Sequence, residues 1–140
     1  HPELLDKAIW RRFNTVIEIG LPQEDEIIKL IKTFTNDFST EFNTDDKRLD
    51  KLAKLFSEKS PSDIRTIINN AKAQTVISNR DTLQYEDVLI ELFEFNNHGN
   101  NLTIEKLVEF LNENGVAQNT IAERMNISLR QVRNYLNKQS

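Results

Sequence analysis

The 140-residue chain has no cysteine, 2 histidines, 3 glycines, 3 prolines and 1 tryptophan. Without cysteine there is no disulfide framework, no thiol nucleophile and no thiolate zinc site, and the redox compartment is left undetermined. His1 and His98 are too few for a histidine metal cluster, so no metal site is expected. No run approaches the roughly 18 apolar residues of a membrane helix, and no signal peptide opens the chain. The expectation is a cytoplasmic protein without a membrane partner. No glycine-rich loop of the form G-x-x-x-x-G-K-[ST] is present, and no apolar strand ends in paired acids. The chain opens on His1–Pro2 rather than Met, so it is expected to be a piece of something longer.

What is present is charge, unevenly spread. The net charge is -4. Residues 1–100 carry 13 Lys and Arg against 18 Asp and Glu, whereas residues 101–140 carry 5 against 4. No acid follows Glu123, while Arg124, Arg130, Arg133 and Lys138 all lie beyond it. The last segment therefore reads as a basic patch on an acidic protein, the kind of asymmetry that points to a nucleic-acid partner. The length suits one domain or two small ones.

Pro2 to Trp10 reads as a short helix, and the β-branched alternation of Thr15 to Ile19 predicts a strand, broken by Gly20 and Pro22. A helix is expected next, with Glu24, Asp25 and Glu26 suiting its N-terminal dipole and Ile27, Ile31, Phe34 and Phe38 on one face. Asn43 or Thr44 is expected to cap a second helix with Leu49, Leu52, Ala53 and Phe56 inward. Ser60 and Asp63 have capping-box spacing, with Pro61 at the first helical position, ahead of Ile64, Ile67, Ile68 and Ala71. A fourth helix turns Val88, Leu89, Leu92 and Phe93 inward. Four amphipathic helices with short joints predict a small bundle over 21–95. The Asn-rich stretch 96–102 reads as a linker, and 103–140 as a trihelical unit. Ile104, Leu107, Val108 and Leu111 mark its first helix, which stops near Gly115. The fold class expected is mainly all-α.

"QNTIAERMNISLRQVRNYL" has helix-turn-helix spacing. Ile121, Ala122 and Met125 face inward, Asn126 suits a left-handed turn, Ile127 plugs it, and Ser128 caps the next helix. Val132 and Leu136 then return to the core. Ser128, Arg130, Gln131, Arg133, Asn134 and Lys138 are left as candidate DNA contacts, since Arg and Gln read guanine and adenine edges bidentately at about 1–3 kcal/mol each. The pattern resembles helix-turn-helix DNA-binding domains over roughly Leu102 to Lys138. The same trihelical unit can instead serve a protein contact. If all four trailing cations neutralised a phosphate, the salt slope would be about -3.6, roughly a hundredfold loss in affinity between 50 and 200 mM salt.

"LDKAIWRRFN" places Arg11 and Arg12 side by side, and the longer stretch "HPELLDKAIWRRFNTVIEIGLPQEDEIIKLI" resembles the AAA+ ATPase module after its sensor-1 strand. The adjacent arginines look most like the katanin-like and ESCRT-disassembling type. "EKSPSDIRTIINNAKAQTV" is similar to that family's "GYSGSDI" lid segment, and "TLQYEDVLIEL" to the lid's closing helix. The resemblance covers about His1 to Glu94. It implies an α/β core ending in residues 1–20, a four-helix lid over 21–95, and Arg11 and Arg12 as fingers acting on a neighbour's ATP. It also places Ser60, Pro61, Ser62 and Asp63 at the nucleotide edge. Pro61 stands where the family has Gly, and Asp63 where other clades carry a sensor-2 arginine. ATP and Mg2+ are implied for the parent protein, with none expected on this chain, which lacks the phosphate loop and the paired acids. A ring is implied, usually a hexamer, with a protein substrate possible. Residues 1–20, cut off from their sheet, are expected to fray or repack. A rival reading is a stand-alone transcriptional regulator whose helical bundle dimerises; another keeps the ATPase and makes the last module a protein docking site.

Overall fold

The structure, a computed structural model, describes residues 20–98, 100 and 102–138. The expectations for residues 1–19, including Arg11, Arg12 and the strand Thr15 to Ile19, lie outside the described residues. Among the described residues seven helices and one short sheet follow in order: α1 (Glu24–Phe34), β1 (Ser39–Thr40), α2 (Asp46–Leu55), α3 (Pro61–Ile77), β2 (Thr82–Leu83), α4 (Tyr85–Asn96), α5 (Ile104–Glu113), α6 (Gln118–Met125) and α7 (Leu129–Asn137). The chain is mainly α, as its periodicity predicts. No helix among the described residues is long and apolar enough to cross a membrane.

Local chemistry sets the helix starts. The Gln23 N–H donates to Glu26 Oε1 at 3.1 Å, so the cap of α1 falls one residue after Pro22. Asp45, rather than Asn43 or Thr44, caps α2: its Oδ1 accepts from the Arg48 N–H at 3.1 Å. A carboxylate at this position serves both the orphan N–H groups and the helix dipole. Ser60 Oγ accepts from the Asp63 N–H at 3.1 Å, with Pro61 in the first turn of α3. Thr103 and Ser128 cap α5 and α7 in the same way.

The apolar stripes meet, except that α1 ends at Phe34, so Phe38 packs from beyond the helix rather than on its face. Ile27, Ile31, Leu49, Leu52, Ala53, Phe56, Ile64, Ile67, Ile68, Ala71, Val88, Leu89 and Leu92 are buried in one cluster, with Phe34 and Phe38 half-buried against it. Helix α3 packs on both α1 and α4, and α1 on α2. The remaining helices, α5, α6 and α7, pack on one another through Val108, Leu111, Ile121 and Val132. Their apolar residues join the same cluster, and α5 rests on α4. Helix α5 runs where Ile104, Leu107, Val108 and Leu111 mark it; Ile104 opens it and is exposed.

The sheet is a feature that the sequence reading did not foresee. β1 and β2 are parallel, with Ser39 opposite Thr82 and Thr40 opposite Leu83. It ties the segment before α2 to the segment before α4, and the fully buried Phe42 and Leu83 anchor it.

Candidate functional sites

The first candidate is the start of α3. Ser60, Pro61 and Asp63 are half-buried and Ser62 is exposed. A helix start attracts anions through its free N–H groups, but here they are few. Pro61 has none, and the Asp63 N–H is given to Ser60 Oγ. The Asp63 carboxylate adds negative charge in the first turn. These residues do not form a phosphate cradle on their own; what they offer is a polar edge. Beside them Glu58 holds φ 68°, a left-handed geometry, and the Lys59 ammonium sits 5.6 Å from the Phe95 ring centre. Arg65 lies over Phe34, 5.4 Å from the ring centre, so it serves the surface of the bundle rather than the α3 start.

The second candidate is α7. Asn126 takes φ 56° and ψ 45° at the end of α6, giving the left-handed corner that its side chain tolerates. The Ile127 N–H donates to the Ala122 carbonyl at 3.0 Å and closes the turn. Ser128 Oγ accepts from the Gln131 N–H at 3.0 Å, so this hydroxyl is engaged as a cap. Val132 is fully buried, with Tyr135 and Leu136 half-buried beside it, and the opposite side of α7 carries Arg130, Arg133 and Asn134, all exposed. Gln131 is half-buried, and exposed Lys138 lies 5.9 Å from the Tyr135 ring centre. Arg130, Arg133 and Lys138 make no ion pair among the described residues.

Arg124 does not belong to that face. Its guanidinium donates to Gln84 Oε1 at 3.0 Å and to Asp87 Oδ1, and it lies 3.7 Å from Glu86. The basic patch therefore has three trailing cations rather than four, because an arginine beside a buried carboxylate is already neutralised.

Asp87 is the centre of a network that sequence reasoning missed. It is 3% exposed and accepts from Arg80 at 2.7 and 2.8 Å, from the Gln84 N–H at 2.8 Å and from Arg124. Burial pushes its carboxyl up, but the hydrogen bonds from Arg80, the Gln84 N–H and Arg124 outweigh this and hold it below its ordinary value. Burial raises Glu86 next to it. One turn on, burial raises Glu91 to about 6, helped by the negative charges of Glu94 and Asp87. Beside Asp87 and Glu91 lies a cleft of about 520 Å³, lined among others by Arg80, Leu107 and Arg124. A signal was present, since Gln84 and Asp87 have capping-box spacing at the start of α4. The second partner, 37 residues further on, had no local signature. No group of three or more metal-ligating side chains lies together among the described residues.

Over about three-fifths of its length the chain is homologous to proteasome-activating nucleotidases, which are AAA+ ATPases. It is 33% identical to the proteasome-activating nucleotidase of Methanopyrus kandleri over 89 residues, 62% of this chain and 20% of that protein. It is 32% identical to that of Methanoregula boonei over 89 residues, again 62% and 20%. It is 30% identical to a putative 26S proteasome regulatory subunit homolog of Methanothermobacter thermautotrophicus over 95 residues, 67% and 25%. The chain thus spans about a fifth to a quarter of the length of these curated relatives. No family model matches it, and no solved structure does.

Proposed function

We propose that the chain is part of a cytoplasmic AAA+ ATPase in which α1–α4 are the lid over 21–95 and α5–α7 form a helix-turn-helix that grips DNA, with 96–102 as the connection. The observation that carries the DNA reading is the exposed, unpaired set Arg130, Arg133 and Lys138, with Asn134 among them, opposite buried Val132. Gln131 and Ser128 border that face. In this reading Arg11 and Arg12 are the fingers offered to a neighbour's ATP in a ring, of katanin-like type. Arginine suits that role because it stays charged and stabilises the charge developing on the transferred phosphoryl group. Ser60, Pro61, Ser62 and Asp63 edge the nucleotide without cradling its phosphates. ATP and Mg2+ belong to the parent protein, which couples hydrolysis to remodelling a partner. Two of the named relatives are proteasome-activating nucleotidases, which makes a protein substrate the first class to try.

Duplex binding tests the DNA reading. With three phosphates neutralised the salt slope is about -2.7, so affinity falls about fortyfold between 50 and 200 mM salt. Fluorescence anisotropy on a mixed labelled duplex is expected to show that loss, and to lose binding altogether in the Arg130→Ala, Arg133→Ala double variant. No binding at tens of micromolar by a folded chain would overturn it. The second reading, protein docking by α5–α7, would then stand. It is favoured by the withdrawal of Arg124 into the Asp87 network, which thins the basic face.

A further inference from the structure

Polar contacts between α1–α4 and α5–α7 converge on the first turn of α4. Tyr85 opens that helix, and its buried hydroxyl donates to the Asn114 carbonyl at the end of α5, at 2.7 Å. Flanking it, Gln84 and Asp87 both accept from Arg124 of α6. Two turns further along α4, the Phe93 ring meets the Phe110 ring of α5 with centroids 5.3 Å apart. Helix α5 is therefore held at two separated points along α4, and α6 at a third. Anchors two turns apart on α4, reaching two different helices, resist hinging of one group against the other. Between them the apolar cluster runs unbroken from Val88, Leu89 and Leu92 into Val108, Leu111 and Ile121.

We infer that α5–α7 is a rigid extension of α1–α4, fixed through Tyr85 and Arg124, so that the four-helix group aims the exposed face of α7. Arg124 is then a positioning residue for that face and not one of the cations that meet a partner. The rigid attachment follows from these contacts alone; that the aimed face meets DNA rests on the reading above. Any rotation of the four helices carries α7 through the same angle, because the polar stretch before α5 absorbs none of it.

The lack of cysteine makes the test clean. Asn69 on α3 and Asn119 on α6 are both exposed, and Asn69→Cys with Asn119→Cys takes two spin labels. Pulsed electron–electron distance measurement on the full chain is expected to give one narrow distribution; a broad or two-peaked one overturns the inference. Adding Tyr85→Phe and Arg124→Gln is expected to broaden it severalfold while circular dichroism keeps the helices. A width as narrow as the parent's would mean that these residues do not hold the joint. Should that variant lose helix, Arg124→Lys keeps the charge but loses the fork, and a width unchanged there also sinks the inference. Failure to bind duplex leaves the distance distribution untouched, so the two readings fail separately.

Discussion

Arg124 of α6 and Asp87 of α4 share a hydrogen-bonded ion pair in which the carboxylate is almost wholly buried. Arg80 grips the same carboxylate from the turn before β2, 2.7 Å away. Two cations on one anion make the two ends of the pair unequal. Removing Arg124 leaves Asp87 a partner, whereas removing Asp87 leaves two guanidinium groups facing each other. Asp87→Asn is therefore expected to destabilise by about 3–5 kcal/mol, and Arg124→Gln by clearly less, about 1–3 kcal/mol. Urea denaturation of both variants checks the order; equal losses would show that Arg80 does not share the carboxylate.

The same carboxylate sets an acid limit. Its folded-state value lies below the ordinary 3.8, so its stabilisation is complete above that pH and is lost as pH falls through the folded value. The stability gap between the parent chain and Asp87→Asn is expected to close below about pH 4, as thermal melts across pH 2–7 would show.

Glu91 behaves with the opposite sign. Its value rises from the ordinary 4.5 to about 6 in the fold, so its ionisation penalises the folded state. The penalty is absent below 4.5, grows through the interval, and is complete above about 6. Glu91→Gln is thus expected to raise the melting temperature at pH 7 and to leave it unchanged at pH 4. A gain at pH 4 as large as at pH 7 would refute the assignment.

Two left-handed residues predict a contrast. Glu58 holds φ 68° with a side chain that dislikes it, while Asn126 holds φ 56° with one that tolerates it. Glu58→Gly is expected to stabilise by up to about 1 kcal/mol, the relieved strain exceeding the added chain entropy. Asn126→Ala is expected to cost about 1 kcal/mol and Asn126→Gly close to nothing. Chemical denaturation of the three variants decides it.

Periodicity made most of the bundle legible. Ile64, Ile67, Ile68 and Ala71 are buried as their spacing requires, and Ser60 caps α3 as its spacing to Asp63 predicts. The cap of α2 fell one residue later, on Asp45, because several polar residues there compete for one role. Asn126 and buried Val132 were readable because each is fixed by neighbours within one turn. The Asp87 network was not, since Arg80 and Arg124 reach it from 7 and 37 residues away and no period links them. Nor was the β1–β2 ladder, whose two-residue strands are too short for any alternation to show.

That small ladder also orders events in time. Ser39 and Thr82, whose hydroxyls lie 3.3 Å apart, are separated by 43 positions. Closing so long a loop costs about 3 kcal/mol in chain entropy beyond a constant, far more than two ladder residues return. The ladder can settle only after α2 and α3 have collapsed and drawn their ends together. It is a clasp fastened last, and mutations in Ser39 or Thr82 should speed unfolding while leaving the folding rate alone.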